Sequence, residues 1–177
     1  ETVIGNNWHP RLGGKGGNQA ISAASESVAV KLISAVGEDN FANYILDNLE
    51  KIKIDIKDIQ ILKNYNSGMS VAISNKDGDY GAVIVSGANL NINLEIFNDE
   101  SLWIDVEILM IQNEIDEKTN ILVAKKAKNH GVKVFYNAAP AKKINLDLYR
   151  LVDILLINTI EAQDITEIHI QNLDDIK

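Results

Sequence analysis

The sequence predicts an α/β fold in which a mostly parallel sheet is flanked by helices. In the second half of the chain, apolar β-rich runs alternate with helical patterns, an order that indicates βαβ units with right-handed crossovers. Near the start, a glycine-rich stretch at residues 12–20 opens onto a helical pattern. Between these regions, Asp77-Gly78 separates two β-rich runs, which is typical of a hairpin. We expect this hairpin to form a flap over one edge of the sheet.

In the first half of the chain, the periodicity predicts a buried strand between two helices. Small and apolar residues at 18–27 indicate a closely packed helix, and the apolar run at 28–36 indicates the strand. Residues 38–40 supply a capping side chain for the second helix, whose apolar positions from 41 to 49 recur every three or four residues. The alternation at residues 52–61 is typical of a strand with one exposed face or of an extended loop, and we favour a short edge piece.

The second half predicts three parallel strands in a sheet that is covered on both faces. Strands are expected at residues 107–111, 132–136 and 153–157, with helices at 117–129 and 145–151. After Glu161 we expect a loop over residues 165–170 and a further helix starting near Leu173, so that the sequence stops within a connection. Ligands of such sheets bind beyond the carboxyl ends of the strands. The residues at those ends are Gln112-Asn113-Glu114, Asn137 and Asn158-Thr159-Ile160-Glu161.

Composition limits the classes of function. A chain of 177 residues with 46% hydrophobic residues suits one domain with a core, and no linker divides it, so we predict a single domain over residues 1–177. The net charge of −8, with a basic cluster only near residues 125–128, argues against binding nucleic acid. No apolar run approaches the length of a membrane span. Cysteine is absent and the sequence begins at Glu1 without the basic and apolar pattern of a signal peptide, so we expect a cytoplasmic protein whose start has been cut.

The glycine-rich stretch permits two interpretations. Its glycines let the backbone approach a ligand closely, and the following helix offers unpaired N–H groups, so the stretch suits a small polar molecule. The alternative is a tight structural turn. Lys15 is followed by Gly16, so the stretch is not a phosphate-binding loop of the Walker type. Gln19 stands where a dinucleotide-binding fingerprint needs glycine or alanine, which excludes that motif as well.

The polar residues that follow the strands also permit two interpretations. Glu114, Asn137, Asn158 and Glu161 are each common as helix caps or turn residues, but together they suggest a ligand site at one edge of the sheet. Asn158 and Glu161 are three residues apart and so suit a hard cation such as Mg²⁺, held partly through water. In the alternative interpretation, Glu161 reaches back to the backbone and caps the helix.

Five segments of the sequence, in this order and spacing, resemble the ribokinase branch of the PfkB carbohydrate kinases. The glycine stretch with its lysine is more typical of this branch than of fructokinases or adenosine kinases. The segments are Gly13-Gly14-Lys15-Gly16-Gly17-Asn18-Gln19-Ala20, Ala35-Val36-Gly37-Glu38-Asp39-Asn40-Phe41, Ser86-Gly87-Ala88-Asn89, Asn137-Ala138-Ala139-Pro140-Ala141 and Asn158-Thr159-Ile160-Glu161-Ala162.

The resemblance implies a Rossmann-type, ribokinase-like fold with a small β lid, and transfer of the γ-phosphoryl group of ATP to the terminal hydroxyl of ribose. It implies ATP and Mg²⁺ as cofactors, with a monovalent cation such as K⁺. The lid would comprise about residues 1–12 and 67–87 and would form the interface of a homodimer. The implied site residues are Gly14, Lys15, Asn18 and Glu114 for the sugar, Asn158 for the nucleotide phosphates, and Glu161 for Mg²⁺.

The departures from the family pattern bear on catalysis. Gly17 and Ala138 differ mildly from the usual residues of the branch. The family's sugar-gripping Asp of the N-terminal strand and its catalytic base Asp of the C-terminal half have no counterpart in the sequence, so we expect no catalytic residue in this chain. We interpret the chain as the middle, sugar-binding part of such a kinase. The alternatives are a non-catalytic sugar-binding or dimerising module, and a kinase for another pentose, a nucleoside or a sugar phosphate.

Overall fold

The computed structural model describes residues 6–74, 80–143, 145–170, 172 and 175. Helices and strands alternate through most of these ranges. Short 3₁₀ helices occupy Gly87–Asn91, Leu94–Asn98 and Glu100–Trp103. The α-helices and strands are α1 (Lys15–Ser25), β1 (Ser34–Gly37), α2 (Asn40–Lys51), β2 (Ile59–Leu62), β3 (Met69–Ser74), β4 (Tyr80–Val85), β5 (Ile108–Gln112), α3 (Glu117–Asn129), β6 (Lys133–Asn137), α4 (Leu146–Tyr149), β7 (Ile154–Leu156) and α5 (Thr159–Thr166).

Two of the three sheets formed by the described residues are parallel, as the βαβ pattern predicts. Strands β5, β6 and β7 form a three-stranded parallel sheet, β1 pairs with β2 in parallel, and β3 and β4 form an antiparallel hairpin. In the three-stranded sheet, Gln112 lies opposite Asn137, which lies opposite Leu156. The carboxyl ends of the three strands therefore meet at one edge, where ligands of such sheets bind.

The principal core joins the three-stranded sheet to α3. Ile111, Val134 and Tyr136 of the sheet are buried with Val123 and Ala124 of the helix. The apolar positions of α3 recur at helical spacing and face the sheet, while its lysines lie on the other side. The fold class predicted from the sequence is confirmed: this is an α/β protein with mostly parallel strands.

The opposite face of this sheet is largely uncovered, contrary to the prediction of a sheet covered on both faces. Side chains on a strand alternate between faces, so Ile108, Met110, Ile154 and Leu156 share the face that points away from the core. All four are exposed. Gln112 belongs to the same face but is buried, because α1 lies over the end of β5. Only the carboxyl end of this face is covered by the described residues.

The hairpin carries an apolar surface, here called the hairpin face. The hairpin's register brings five apolar side chains together on one side, and each of them is exposed, whereas the exposed Ile84 lies on the other side with Ser70. The predicted turn at residues 75–79 and the extended piece predicted at residues 2–4 lie outside the described residues. The hairpin face consists of Met69, Val71, Ile73, Val83 and Val85.

Several element boundaries differ from the predictions. Helix α1 begins at Lys15 and not at Asn18, and the strand predicted over residues 28–36 is shortened to Ser34–Gly37. The loop predicted over residues 165–170 is helical as far as Thr166. The 3₁₀ helices between residues 87 and 103 were not predicted, because segments of only 4 or 5 residues are too short to show a helical period. Within the described ranges, no helix has the length and hydropathy of a membrane span.

His130 joins the end of α3 to the 3₁₀ helix at Glu100–Trp103. Its ring stacks on Trp103 with centroids 5.1 Å apart, its Nε2 lies 2.8 Å from Glu100 Oε2, and its Nδ1 lies 2.8 Å from the carbonyl oxygen of Lys126. Both nitrogens face acceptors, an arrangement that only the protonated imidazole satisfies fully. The hydrogen bond to Glu100, with that to the Lys126 carbonyl, raises the pKa of His130.

We therefore expect the chain to lose stability when the pH rises through the folded-state pKa of His130. The raised pKa means that the stabilisation is fully present below about pH 6.5, the unfolded value, and is lost above the folded value. Thermal melts from pH 5.5 to 8.5 on wild type and His130→Gln measure the effect, with His9→Gln as the control. A melting profile for His130→Gln that is parallel to that of wild type would contradict the prediction.

Candidate functional site

The glycine stretch forms the amino-terminal turn of α1, and a distant carboxylate caps it. Gly14 is the N-cap, with φ +78°, and provides no capping side chain. The backbone N–H of Lys15 instead donates to Glu114 Oε2 at 2.7 Å, across 99 positions of sequence. Backbone N–H groups in the first turn of a helix lack partners within the helix, so this carboxylate satisfies one of them. Lys15 and Glu114, both predicted site residues, are thus in direct contact.

Gln112 supports Glu114 from the end of β5. Its side chain is 8% exposed, and its Oε1 accepts the backbone N–H of Glu114. Its backbone carbonyl accepts a 2.8 Å hydrogen bond from the fully buried Asn120 of α3. A Cβ added to Gly16 would lie 3.7 Å from Gln112 Nε2, so the first turn of α1 packs against this amide. The sequence placed Gln112 at the sheet edge but indicated no role for it.

Asn113 fixes the segment that follows β6. Its backbone N–H donates to the Ala139 carbonyl at 3.0 Å, and its Nδ2 donates to the Pro140 carbonyl at 2.9 Å. Its Oδ1 accepts the Tyr136 hydroxyl at 2.6 Å, and its carbonyl accepts Lys142 Nζ at 2.6 Å. Burial raises the pKa of Tyr136 above its usual value, although the hydrogen bond to Asn113 opposes the shift. The tyrosine therefore remains a neutral donor, and this side of the site is held rigidly.

A cavity of about 380 Å³ lies between the glycine turn and the ends of β6 and β7. Within the described residues, the Asn137 side chain makes no hydrogen bond and borders the cavity. Asn18 does not line the cavity and is exposed on α1. The walls are formed by Lys15, Asn137, Asn158 and Glu161, with Ala139, Leu156 and Ile157. The structure therefore brings Lys15 close to Asn158 and Glu161, which lie 143 or more positions after it in the sequence.

Asn158 and Glu161 form a reciprocal capping box at the start of α5. Asn158 Oδ1 accepts the Glu161 backbone N–H at 2.8 Å, and Glu161 Oε2 accepts the Asn158 backbone N–H at 2.9 Å. The capping interpretation of this pair is thus observed, and the assignments to phosphate and to Mg²⁺ stay predictions. Among the residues that the structure describes, no group of three His, Asp or Glu side chains is arranged to hold a metal ion. Any cation here would need oxygen ligands from water or from a substrate.

The glycines of α1 differ in how they tolerate a side chain, and this difference gives a prediction. A Cβ at Gly17 would meet nothing within 4 Å, so Gly17→Ala should stabilise the chain by about 0.5–1 kcal/mol through helix propensity and reduced freedom of the unfolded chain. Gly14→Ala should destabilise it by about 1–3 kcal/mol, because Gly14 has φ +78° and ψ 146°. Urea unfolding of both variants measures the effects. Equal changes in the unfolding free energy of the two variants would contradict this prediction.

Comparisons with known proteins agree with this fold. The family model described as pfkB family carbohydrate kinase matches residues 1–177. The chain is 33% identical over 169 residues to a ribokinase from Lactococcus lactis, covering 93% of this chain and 55% of the relative, and 31% identical over 171 residues to a ribokinase from Haemophilus influenzae, covering 96% and 56%. A structure of Arabidopsis thaliana ribokinase complexed with ribose and ATP superposes with a TM-score of 0.87 at 27% identity, covering 99% of this chain and 58% of that one. The chain therefore spans little more than half the length of these relatives.

Proposed function

The chain belongs to the pfkB family of carbohydrate kinases, and from this premise we propose that it is the sugar-binding part of a kinase that transfers the γ-phosphoryl group of ATP to the terminal hydroxyl of ribose. The cavity that Lys15 shares with Asn158 and Glu161 carries the proposal. Phosphoryl transfer needs the acceptor and the phosphates side by side, with positive charge nearby. The ribokinase relatives, one of them solved with ribose and ATP, support the choice of substrates.

On the sugar side, Gly14, Lys15, Asn18 and Glu114 are the proposed ligands of ribose. The Lys15 ammonium donates to sugar hydroxyls from the cavity wall, while its backbone N–H holds Glu114 in place. The exposed amide of Asn18 lies one turn further along α1, where it is accessible to a bound sugar. The Glu114 carboxylate retains acceptor sites beyond its bond to Lys15, and these suit sugar hydroxyls.

On the phosphate side, Asn158 is the proposed contact to the nucleotide phosphates and Glu161 the proposed residue for Mg²⁺. The Glu161 carboxylate borders the cavity with one oxygen engaged in the capping box, which fits a cation held through water better than one held directly. When bound, Mg²⁺ with a K⁺ ion would neutralise charge on the phosphates. We propose no catalytic base in the chain, and so we expect it to be inactive alone.

Calorimetry and a coupled kinase assay on this chain test the proposal. We expect heat of binding with ribose, weaker heat with 2-deoxyribose, fructose and adenosine, and no ADP production from ATP with any of them. If adenosine, another pentose or a sugar phosphate binds more tightly than ribose, that compound replaces ribose as the proposed acceptor. Absence of binding to every sugar and nucleoside would refute a sugar-binding role.

A second candidate is a non-catalytic module that binds sugar or dimerises, and the hairpin face favours dimerisation. Five adjacent exposed apolar side chains on one side of the hairpin suit the same surface of a second copy. We propose a homodimer through the lid. Sedimentation of wild type should give a dimer and that of Val71→Lys a monomer, whereas Ser70→Lys, on the other side of β3, should remain dimeric. A wild-type monomer at all concentrations would refute the interface.

The cytoplasm is the proposed location, because the sequence contains no cysteine and a kinase of this kind uses intracellular ATP.

A further inference from the structure

Gln112 stands at the centre of a hydrogen-bonded path from the core to the proposed sugar site. The path begins at the fully buried Asn120 of α3, whose Nδ2 donates to the Gln112 carbonyl at 2.8 Å. The Gln112 side chain then accepts the Glu114 backbone N–H, and the Glu114 carboxylate accepts the Lys15 backbone N–H at 2.7 Å. The first and last links join different elements and the middle link is local, so the placement of α1 depends on the end of β5.

We infer that Gln112 is a positioning residue that sets Lys15 in the sugar site by holding Glu114 against the first turn of α1. This inference rests on the proposed sugar-binding function. Gln112 is 8% exposed, so its amide serves protein contacts rather than solvent. Without its Oε1, the Glu114 backbone loses its acceptor, and the carboxylate is free to leave the Lys15 N–H. Lys15 then loses its cap although its own side chain is unchanged.

The amide of Gln112 also packs against the first turn of α1. Its Nε2 lies 3.7 Å from the position that a Cβ at Gly16 would take, so no more than a methyl group would fit between the helix and the amide. A methionine at position 112 would retain the length and apolar stem of glutamine but offer no comparable acceptor. The Gln112→Met variant therefore separates packing from hydrogen bonding.

Nitrogen-15 NMR and calorimetry on the chain test this role. In Gln112→Met we expect the Lys15 amide proton to shift upfield and its hydrogen exchange to accelerate about tenfold, with ribose affinity falling about tenfold. The matched control is Gln60→Met. Gln60 makes two side-chain hydrogen bonds to the backbone of Asn93, at 2.7 Å and 3.2 Å, away from the glycine turn. The control removes the same amide at an exposed contact and should leave the Lys15 amide and the ribose affinity unchanged.

The readouts distinguish this inference from the proposed function. If wild type fails to bind ribose while Gln112→Met still moves the Lys15 amide, the sugar-binding proposal fails and the positioning role is supported. If the Lys15 amide is identical in wild type and Gln112→Met, the positioning role is refuted whatever the sugar affinity. Should Gln112→Met fail to fold, exchange in wild type decides the matter: slow exchange at the Glu114 amide supports the role, and fast exchange overturns it.

Discussion

Replacing Lys15 with methionine should weaken ribose binding by about 10- to 100-fold while leaving the fold intact. The ammonium is lost from the cavity wall, and hydrogen bonds from a charged group contribute about 1.5–3 kcal/mol each. The backbone N–H that donates to Glu114 is retained, so the cap of α1 persists. Methionine and lysine have similar helix propensities, and the substitution therefore changes little else. Calorimetry with ribose measures the loss.

The control for this prediction is Lys125→Met. Lys125 is exposed on the outer side of α3, and its replacement makes the same change of charge far from the cavity. We expect wild-type affinity and nearly wild-type melting temperature for Lys125→Met. If Lys15→Met binds ribose as tightly as this control, Lys15 is not a sugar ligand. If it unfolds at a clearly lower temperature than the control, its role is structural.

The elements that were predicted well are those whose signals are local. Helix α3 has the predicted bounds, because its apolar positions repeat at helical spacing and His130-Gly131 follows its last turn. Helix α2 begins where Asp39 provides a cap, and Asp39 accepts the Ala42 N–H as expected of that position. The two strands of the hairpin are β-rich on both sides of Asp77-Gly78, so their pairing follows from neighbouring sequence.

The elements that were predicted poorly depend on distant partners. Helix α1 begins three residues early because its capping carboxylate belongs to Glu114, at the end of another strand. The predicted strand at residues 28–36 is mostly unpaired, with one bridge between Lys31 and Asp55 before β1 begins, because strand length is set by the partner and not by apolar content. The exposed face that carries Ile108 and Met110 was also mispredicted, because the alternation of residues along a strand identifies its two faces but does not show which elements cover them.

The site was predicted as a set of residues but not as a geometry. Lys15 was indicated by the glycine stretch and Glu114 by its place after a predicted strand, and their contact arises from the placement of α1 over β5. Asn158 and Glu161 were compatible with capping and with ligand binding, and the capping bonds do not remove them from the cavity wall. Gln112 lacked a signal of its own, because a buried amide is recognised only when its partners are known.

Asp39 joins the start of α2 to the root of the hairpin. Its Oδ1 accepts the Ala42 N–H and the Ser67 hydroxyl, both at 2.8 Å, and its Oδ2 accepts the Ser67 N–H at 2.7 Å. Ser67 is 3% exposed, and its hydroxyl also accepts the Gly37 N–H at 3.0 Å. A Cβ at Gly37 would lie 2.6 Å from the Ser67 nitrogen, so these backbones touch. The hairpin begins two residues later, at Met69.

Replacing Asp39 with alanine should destabilise the chain by about 2–4 kcal/mol. The loss of a helix cap contributes about 1 kcal/mol, and the buried polar groups of Ser67 left without their acceptor contribute about 1–3 kcal/mol. Urea unfolding measures the change, and hydrogen exchange at Ser67 locates it. Asp99→Ala is the control, because Asp99 caps a 3₁₀ helix by accepting the backbone N–H of the exposed Ser101 at 2.9 Å. We expect it to cost less than about 1 kcal/mol.

The pH dependence of the unfolding free energy lost in Asp39→Ala distinguishes the hydrogen bonds of the Asp39 carboxylate from ordinary loss of packing. Burial acts to raise the pKa of Asp39, but the hydrogen bonds from Ser67 and Ala42 together lower it below the usual range. A carboxylate with a depressed folded-state pKa stabilises the fold fully above about pH 4 and loses that effect as the pH falls through the folded value. The difference in unfolding free energy between wild type and Asp39→Ala should therefore be constant from pH 5 to 7 and shrink below pH 4. A difference that stays constant down to pH 2 would show that the charge of Asp39 does not hold the hairpin root.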